Sequence, residues 1–323
     1  LKVIILIDPD MLMLRSFKNN FTSHPKTLWT KFFQERPDEL FYNVKQGQVM
    51  ASEYGFGDRW LYALLDDGKN LTHVLGTTES PVYTIDRAEA SNRYPGGPPY
   101  MATARDFYKI VRYWTHFLPR YFEEKPSMMN EMYSYCLAAA HLGIKHQLAR
   151  GFMISDVTGD EGWDFLQEPW NDGANDQDFL EQACNLDAFS NLDSMPQVLH
   201  FCQRYGIGEF FISKYKVPKR SFTCEFPLYE EPSMDIAKNL YAHMGDFSKQ
   251  TYDANNPKDT SYRARNTYMV CSLYRALNKA ATFYKDHHCP DGNANYEKSW
   301  QYFKVYDTDP SGPGQNGLSK SKK

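Results

Sequence analysis

The sequence predicts an α/β fold, a mainly parallel sheet flanked by helices, with a helical extension at its C-terminal end. Three observations predict it. Strand-like and helix-like segments alternate through the first two thirds of the 323 residues, the pattern of helices layered on a sheet. The helical segments carry apolar side chains at the spacing of one helix face. Beyond residue 230 strand signals fade, and a long helical run from about 260 to 287 takes over.

VIILI at 3–7 is a short apolar run bounded by DPD, which reads as a buried strand stopped by Pro9. From about 15 to 45, charged and aromatic residues surround Pro25 and Pro37, predicting loop with a short helix near 27–34. GQVMASEYGFGDRW reads as a strand and a glycine-punctuated turn, followed by a polar loop to about 95 with VYT as a candidate short strand. After RYPGGPPY, read as a tight turn, comes the clearest helix, ATARDFYKIVRYWTHFLPRYFEE. Its stripe is Phe107, Ile110, Val111, Trp114, Phe117 and Tyr121, and Thr103 is the candidate cap.

NEMYSYCLAAAHL is the second helix, stopped at Gly143 because glycine accepts a left-handed backbone. Residues 144–155 return to a strand pattern, and PQVLHF places His200 on a strand. A third helix is expected after Pro232, then the long run with Tyr262, Met269, Leu273, Leu277, Ala280 and Tyr284 on its apolar side. The tail from 309 is rich in Gly, Ser and Lys and is expected to be disordered. The expected division is a core over 1–230, a helical extension over 231–308 and the tail over 309–323.

Composition excludes several classes. With 42% hydrophobic residues, 24% charged residues and a net charge of -4, the chain is neither disordered nor a general polyanion binder, so nucleic acid is not an expected partner. No stretch approaches the roughly 20 apolar residues that span a bilayer. The 23 tyrosines among 15% aromatics suit a large core or sugar-facing surfaces. Six cysteines show no CxxC pair, which argues against structural zinc. Cys289, beside His287 and His288 at a helix end, has candidate disulfide partners in Cys271 and Cys224. Two N-x-T sequons, at Asn20 and Asn70, are compatible with the secretory pathway.

Asp8 and Asp10 follow an apolar strand, and ligands of open α/β sheets bind beyond the carboxyl ends of strands. If the backbone stays extended through Pro9, both carboxylates point the same way. Two such carboxylates repel, and a divalent cation is the usual remedy. Mn2+ or Mg2+ suits an incomplete oxygen shell with positions left for phosphate oxygens. A polar turn ending a strand is the plain alternative. Downstream, His200 offers a nitrogen ligand and Lys214 a point charge for a diphosphate, with Gly206 and Gly208 between them. A histidine satisfied in the core is the alternative there. The acidic run from Asp156 to Glu181 lacks the ligand and glycine positions of a calcium loop, since Thr158 and Glu161 occupy them, and reads as a solvated loop.

LIDPDMLM, YGFG, YPGGPPYMATARDFYKIVRYW, NEMYSYCLAAAHLGIKHQLARGFMISD and VLHFCQRYGIGEFFISKYK together resemble the plant and algal peptidyl serine α-galactosyltransferases and the related hydroxyproline O-arabinosyltransferases. The likeness covers roughly residues 1–230 and is strongest towards the serine galactosyltransferase branch through QRY and SKYK. It implies a GT-A-type core, here partial, that retains anomeric configuration while moving galactose or arabinose from a UDP-sugar to a serine or hydroxyproline hydroxyl. The protein acceptor would be a glycoprotein of the Golgi or endoplasmic reticulum lumen. A non-catalytic scaffold or carbohydrate-binding relative is the alternative.

The resemblance implies residue roles position by position. Asp8 and Asp10 become the metal-binding DxD, His200 closes the metal shell, and Lys214 touches the diphosphate. Gly97 and Pro98, in the turn Gly96-Gly97-Pro98-Pro99, let backbone approach the donor sugar, although a tight turn explains them equally. Glu131 is the carboxylate expected at the reacting centre, as a hydrogen-bond partner of the sugar or as a nucleophile, unless it merely complements a helix dipole. Asp156 is a second candidate of that kind. A front-face route would need neither. GT-A domains open with a nucleotide-binding βαβ half ahead of the DxD strand. The chain as written is therefore expected either to be a truncated form whose uridine pocket, and any membrane anchor, lies upstream, or to have its missing half supplied by another chain.

Overall fold

The computed structural model describes residues 2–301 apart from 24, 160, 161, 168–179, 181, 190, 191, 193, 215, 216, 239, 240, 245–247, 252–255 and 291. The tail expected from 309 lies outside the described residues. The chain forms two compact units, Leu1–Ile154 with Pro196–Val198, and Ser155–Met195 with Leu199–Lys323.

The first unit contains β1 (Val3–Leu6), β2 (Met11–Met13), α1 (Lys31–Glu35), β3 (Val49–Glu53), α2 (Arg59–Leu65), α3 (Leu71–Leu75), α4 (Arg87–Arg93), β4 (Gly96–Thr103), α5 (Ala104–Glu124), α6 (Asn130–His141), β5 (His146–Ala149) and β6 (Met153–Ile154). Its main sheet runs β1-β4-β3-β5. β4 is antiparallel to both β1 and β3, and β3 is parallel to β5. The sheet is therefore mixed rather than mainly parallel. Alternation of strands and helices says nothing about direction when neighbours in the sheet are not neighbours in the chain, and β4 sits between two strands that precede it.

The helices α5 and α6 form where the pattern predicts, and Thr103 caps α5 by accepting a hydrogen bond from Asp106 N at 3.2 Å. Phe107, Ile110, Phe117 and Tyr121 are buried, while Val111 faces out and Trp114 donates its indole N–H to Glu131 O at 2.9 Å. From Tyr133 to Ala140 every residue of α6 is buried, so it is an internal helix, and Gly143 beyond it has φ 65°. Trp60, Leu64, Val74 and Tyr94 complete the same core.

Three expectations fail here. The segment 59–95 is not loop: α2, α3 and α4 occupy it, and VYT lies in a 3-10 turn, Pro81–Thr84. Asn70 and Asp86 start α3 and α4 as caps, accepting from His73 N and Glu89 N at 2.9 and 2.7 Å. These helices are too short for a periodic stripe to be read. Gly96-Gly97-Pro98-Pro99 is not a turn before a helix but the buried first half of β4. β1 also departs from the expected buried strand: it lies at the end of the sheet order, and Ile4, Ile5 and Leu6 are exposed.

The second unit contains α7 (Asp164–Gln167), the outer part of β7 (Val198–His200), β8 (Arg204–Ile207), β9 (Phe210–Ser213), β10 (Leu228–Tyr229), β11 (Tyr241–Met244), β12 (Ser248–Thr251), α8 (Pro257–His288) and β13 (Lys298–Trp300). β8 and β9 make a hairpin that turns at Gly208 with φ 56°. The third helix expected after Pro232 is a single 3-10 turn, Ile236–Lys238. α8 confirms the long run, but the side it buries is wider than the apolar stripe and partly polar: Asn266, Thr267, Asn278 and Lys285 are buried alongside Met269 and Leu273. Asn278 clamps Tyr229 of β10, accepting from its N at 2.8 Å and donating to its O at 2.9 Å. Two disulfides, Cys184–Cys271 and Cys224–Cys289, tie preceding segments to the middle and the end of α8.

Candidate metal centre

Asp8 and Asp10 flank the step from β1 into β2. The backbone does not stay extended there: Met11 N donates to Asp8 O at 3.1 Å, closing a turn with Asp at its first position and Pro at its second, both favoured there. The turn, rather than strand pleating, brings the carboxylates together. β2 starts on the residue after Asp10 and is hydrogen-bonded beside β7 in the three-stranded sheet β2-β7-β6. His200 is the last residue of β7. One carboxylate oxygen of each aspartate and one ring nitrogen of His200 lie within 4.8 Å of one another. None of the three residues is exposed.

Two carboxylates at that distance repel by about 3.5 kcal/mol at an effective dielectric of 20. A divalent cation reverses the sign of that interaction. Two carboxylate oxygens and one imidazole nitrogen are a mixed donor set that would suit such an ion. Tyr205, fully buried, donates its hydroxyl to both His200 O and Ser155 O at 3.1 Å, which pins the backbone that carries the histidine. This tyrosine closes the QRY stretch of the sequence, where no role is expected of it; its place five residues beyond His200 was the available signal.

The other candidates have definite surroundings. Lys214 follows β9 and is half-buried. Gly206 donates its N–H to Asn266 Oδ1 on α8 at 3.1 Å, so it anchors the hairpin. Glu131 stands exposed in the first turn of α6, where a carboxylate complements the helix dipole. Asp156 Oδ1 accepts from Thr158 N and Oγ1, both at 2.8 Å, which orders its own loop. Neither acid belongs to the three-residue group. Gly97 and Pro98 are buried within β4, and a Cβ on Gly97 would run into the Tyr54 ring. That glycine serves a close approach between β4 and the chain just past β3.

An open groove of about 610 Å³ in the first unit is lined by Lys31, Arg36, Glu39, Glu89, Arg93 and Lys145 among others. Its charges largely answer one another, Arg93 with Glu39 and Lys145 with Glu89. Among the described residues no helix is long and apolar enough to cross a membrane. The two disulfides suit an oxidising compartment. Comparison with protein-family models, curated proteins and solved structures finds no match for the chain.

Proposed function

We propose that the protein is a metal-dependent retaining glycosyltransferase of the peptidyl serine galactosyltransferase and hydroxyproline arabinosyltransferase kind, built on a GT-A-like core. It moves galactose or arabinose from a UDP-sugar to a serine or hydroxyproline hydroxyl of a glycoprotein in the Golgi or endoplasmic reticulum lumen. The observation that carries this reading is the convergence of Asp8, Asp10 and His200, residues some 190 positions apart in sequence, within 4.8 Å. The ordered motifs over residues 1–230 supply the chemistry to which that convergence belongs.

Asp8 and Asp10 hold the cation, Mn2+ or Mg2+, and His200 supplies the nitrogen ligand. The bound ion supplies Lewis-acid stabilisation of the departing diphosphate. Lys214 adds a positive charge for the same leaving group. The acceptor hydroxyl oxygen forms the new bond to the anomeric carbon as the bond to UDP breaks, and its proton passes to the departing phosphate oxygen. Glu131 orients the sugar, or attacks first if retention proceeds by double displacement; Asp156 is the second carboxylate for either task.

The test is transfer or hydrolysis of UDP-galactose and UDP-arabinose with Mn2+ or with chelator. Metal-dependent turnover that Asp10→Ala abolishes, with the far-ultraviolet circular dichroism unchanged, is expected. No turnover, together with no Mn2+-dependent heat of UDP binding, would instead identify a non-catalytic scaffold.

A further inference from the structure

We propose that Asn20 is the attachment site of an N-linked glycan and that the second sequon, at Asn70, is left unmodified. The two triplets, Asn20-Phe21-Thr22 and Asn70-Leu71-Thr72, are equivalent as sequence. The fold treats them differently.

Around Asn20 alternate residues anchor and project. Asn19 exchanges two hydrogen bonds with the Val44 backbone, Nδ2 to O at 3.0 Å and N to Oδ1 at 2.6 Å. Phe21 is 2% exposed and its N donates to Tyr42 O at 2.8 Å. Between and beside these anchors, Asn20 and Thr22 are exposed. Asn20 Oδ1 accepts from Thr22 N at 3.0 Å and from Thr22 Oγ1 at 2.8 Å, so the threonine hydroxyl lies against the asparagine amide. Among the described residues the amide Nδ2 donates to no protein group. The nucleophilic nitrogen is thus turned to solvent on a locally fixed turn.

Asn70 and Thr72 are exposed too, and among the described residues Asn70 Nδ2 also donates to no protein group, but the asparagine and threonine are not held together. Asn70 caps α3 by accepting from His73 N at 2.9 Å, and its own N donates to the Glu124 carboxylate at 3.2 Å. Thr72 lies inside the helix, where its hydroxyl meets Tyr83 Oη at 2.8 Å instead of the asparagine. The helical backbone separates the two groups that a sequon must present together. A glycan there would also stand beside Glu123 and Glu124 at the end of α5.

The modification needs an oligosaccharide carried on a lipid diphosphate, found in the compartment that the two disulfides suit. Asn20 Nδ2 forms a bond to the anomeric carbon of that oligosaccharide while the bond to the lipid diphosphate breaks. The lipid diphosphate leaves with the electron pair, and Nδ2 gives up one proton to a base of the transferring enzyme. No oxidation or reduction occurs. The proposal is independent of the glycosyltransferase reading.

The test expresses the full chain behind a cleavable secretion signal in eukaryotic cells and digests the secreted protein with a peptide N-glycosidase. Expected is a single-glycan step in gel mobility, with mass spectrometry showing Asn20 converted to Asp on release. The step should vanish in Asn20→Gln and Thr22→Ala and persist in Asn70→Gln and in Thr22→Ser, which keeps the sequon. Should a variant fail to be secreted, the peptide map of the wild-type chain decides alone. A secreted chain with no glycan, a glycan on Asn70 alone, or glycans on both asparagines overturns the proposal.

Discussion

Mn2+ should raise the thermal stability of the wild-type chain, and replacing Asp10 with alanine should abolish that rise. The carboxylates of Asp8 and Asp10 and the His200 nitrogen lie within 4.8 Å, and the mutual repulsion of about 3.5 kcal/mol between the acids becomes attraction once a dication sits between them. An ion that binds the folded state alone, at a concentration 100 times its dissociation constant, stabilises by about 2.7 kcal/mol. Asp8 and Asp10 lie in a unit of roughly 160 residues, whose unfolding entropy is about 0.33 kcal/mol per kelvin, so that stabilisation corresponds to a rise in Tm of about 8 °C. Asp10→Ala leaves one carboxylate and one imidazole, and the rise should shrink to within about 1 °C. Differential scanning calorimetry with MnCl2 against chelator measures both, with Asp38→Ala, an exposed acid elsewhere in the chain, as control. Equal rises in wild type and Asp10→Ala, or no rise in the wild type at millimolar metal, would refute the ligand assignment.

His146 is fully buried, its hydroxyl partner Tyr135 is 2.9 Å from Nε2, and burial, with a smaller contribution from Arg93, pushes its pKa down to about 3. The folded chain therefore refuses a proton that the unfolded chain accepts below about pH 6.5; the stability is whole above that pH and falls as pH drops, by about 2 kcal/mol at pH 5. Urea titrations at pH 7 and pH 5 should show a smaller difference for His146→Gln than for wild type, and identical differences would remove the histidine from the account. Lys285, 1% exposed, donates to the carbonyls of Thr223, Cys224 and Phe226 at 2.7, 3.0 and 2.7 Å. Lys285→Met strands all three acceptors and should lower stability by about 3–5 kcal/mol; an unchanged urea midpoint would show that water replaces the ammonium without cost.

Legibility followed the length over which a signal repeats. α5, α6 and α8 each run three turns or more, enough for a periodic stripe to declare itself, whereas α3 and α4 span 5 and 7 residues and were read as loop, although Asn70 and Asp86 are the residue types that cap helices. The strand holding His200 was legible because an apolar run ended on it. β4 was not legible even as a strand, because its Gly-Gly-Pro-Pro start reads as a turn, and its direction is decided by pairing partners distant in sequence. Asp8 and Asp10 do come together with His200 in a group that could hold a metal ion, but by a different geometry from the one expected: Pro9 makes a turn where an extended strand was expected. Of the six cysteines, Cys224 was among the partners expected for Cys289, while Cys184 joined Cys271 across 87 residues that no spacing rule connects.

Those cysteine pairings set a problem in time. Cys184 and Cys224 leave the ribosome before Cys271 and Cys289, with 87 and 65 residues still to be made between each pair. At about 5–20 residues per second that interval is roughly 3–17 s. Throughout it the nearest oxidation partner of each early thiol is Cys202, which lies between them in sequence, and the two early thiols are themselves separated by fewer residues than either correct pair. The chain is thus exposed to a wrong crosslink until α8 exists to claim both sulfurs, and its yield on oxidative folding should depend on a disulfide isomerase rather than on oxidant alone.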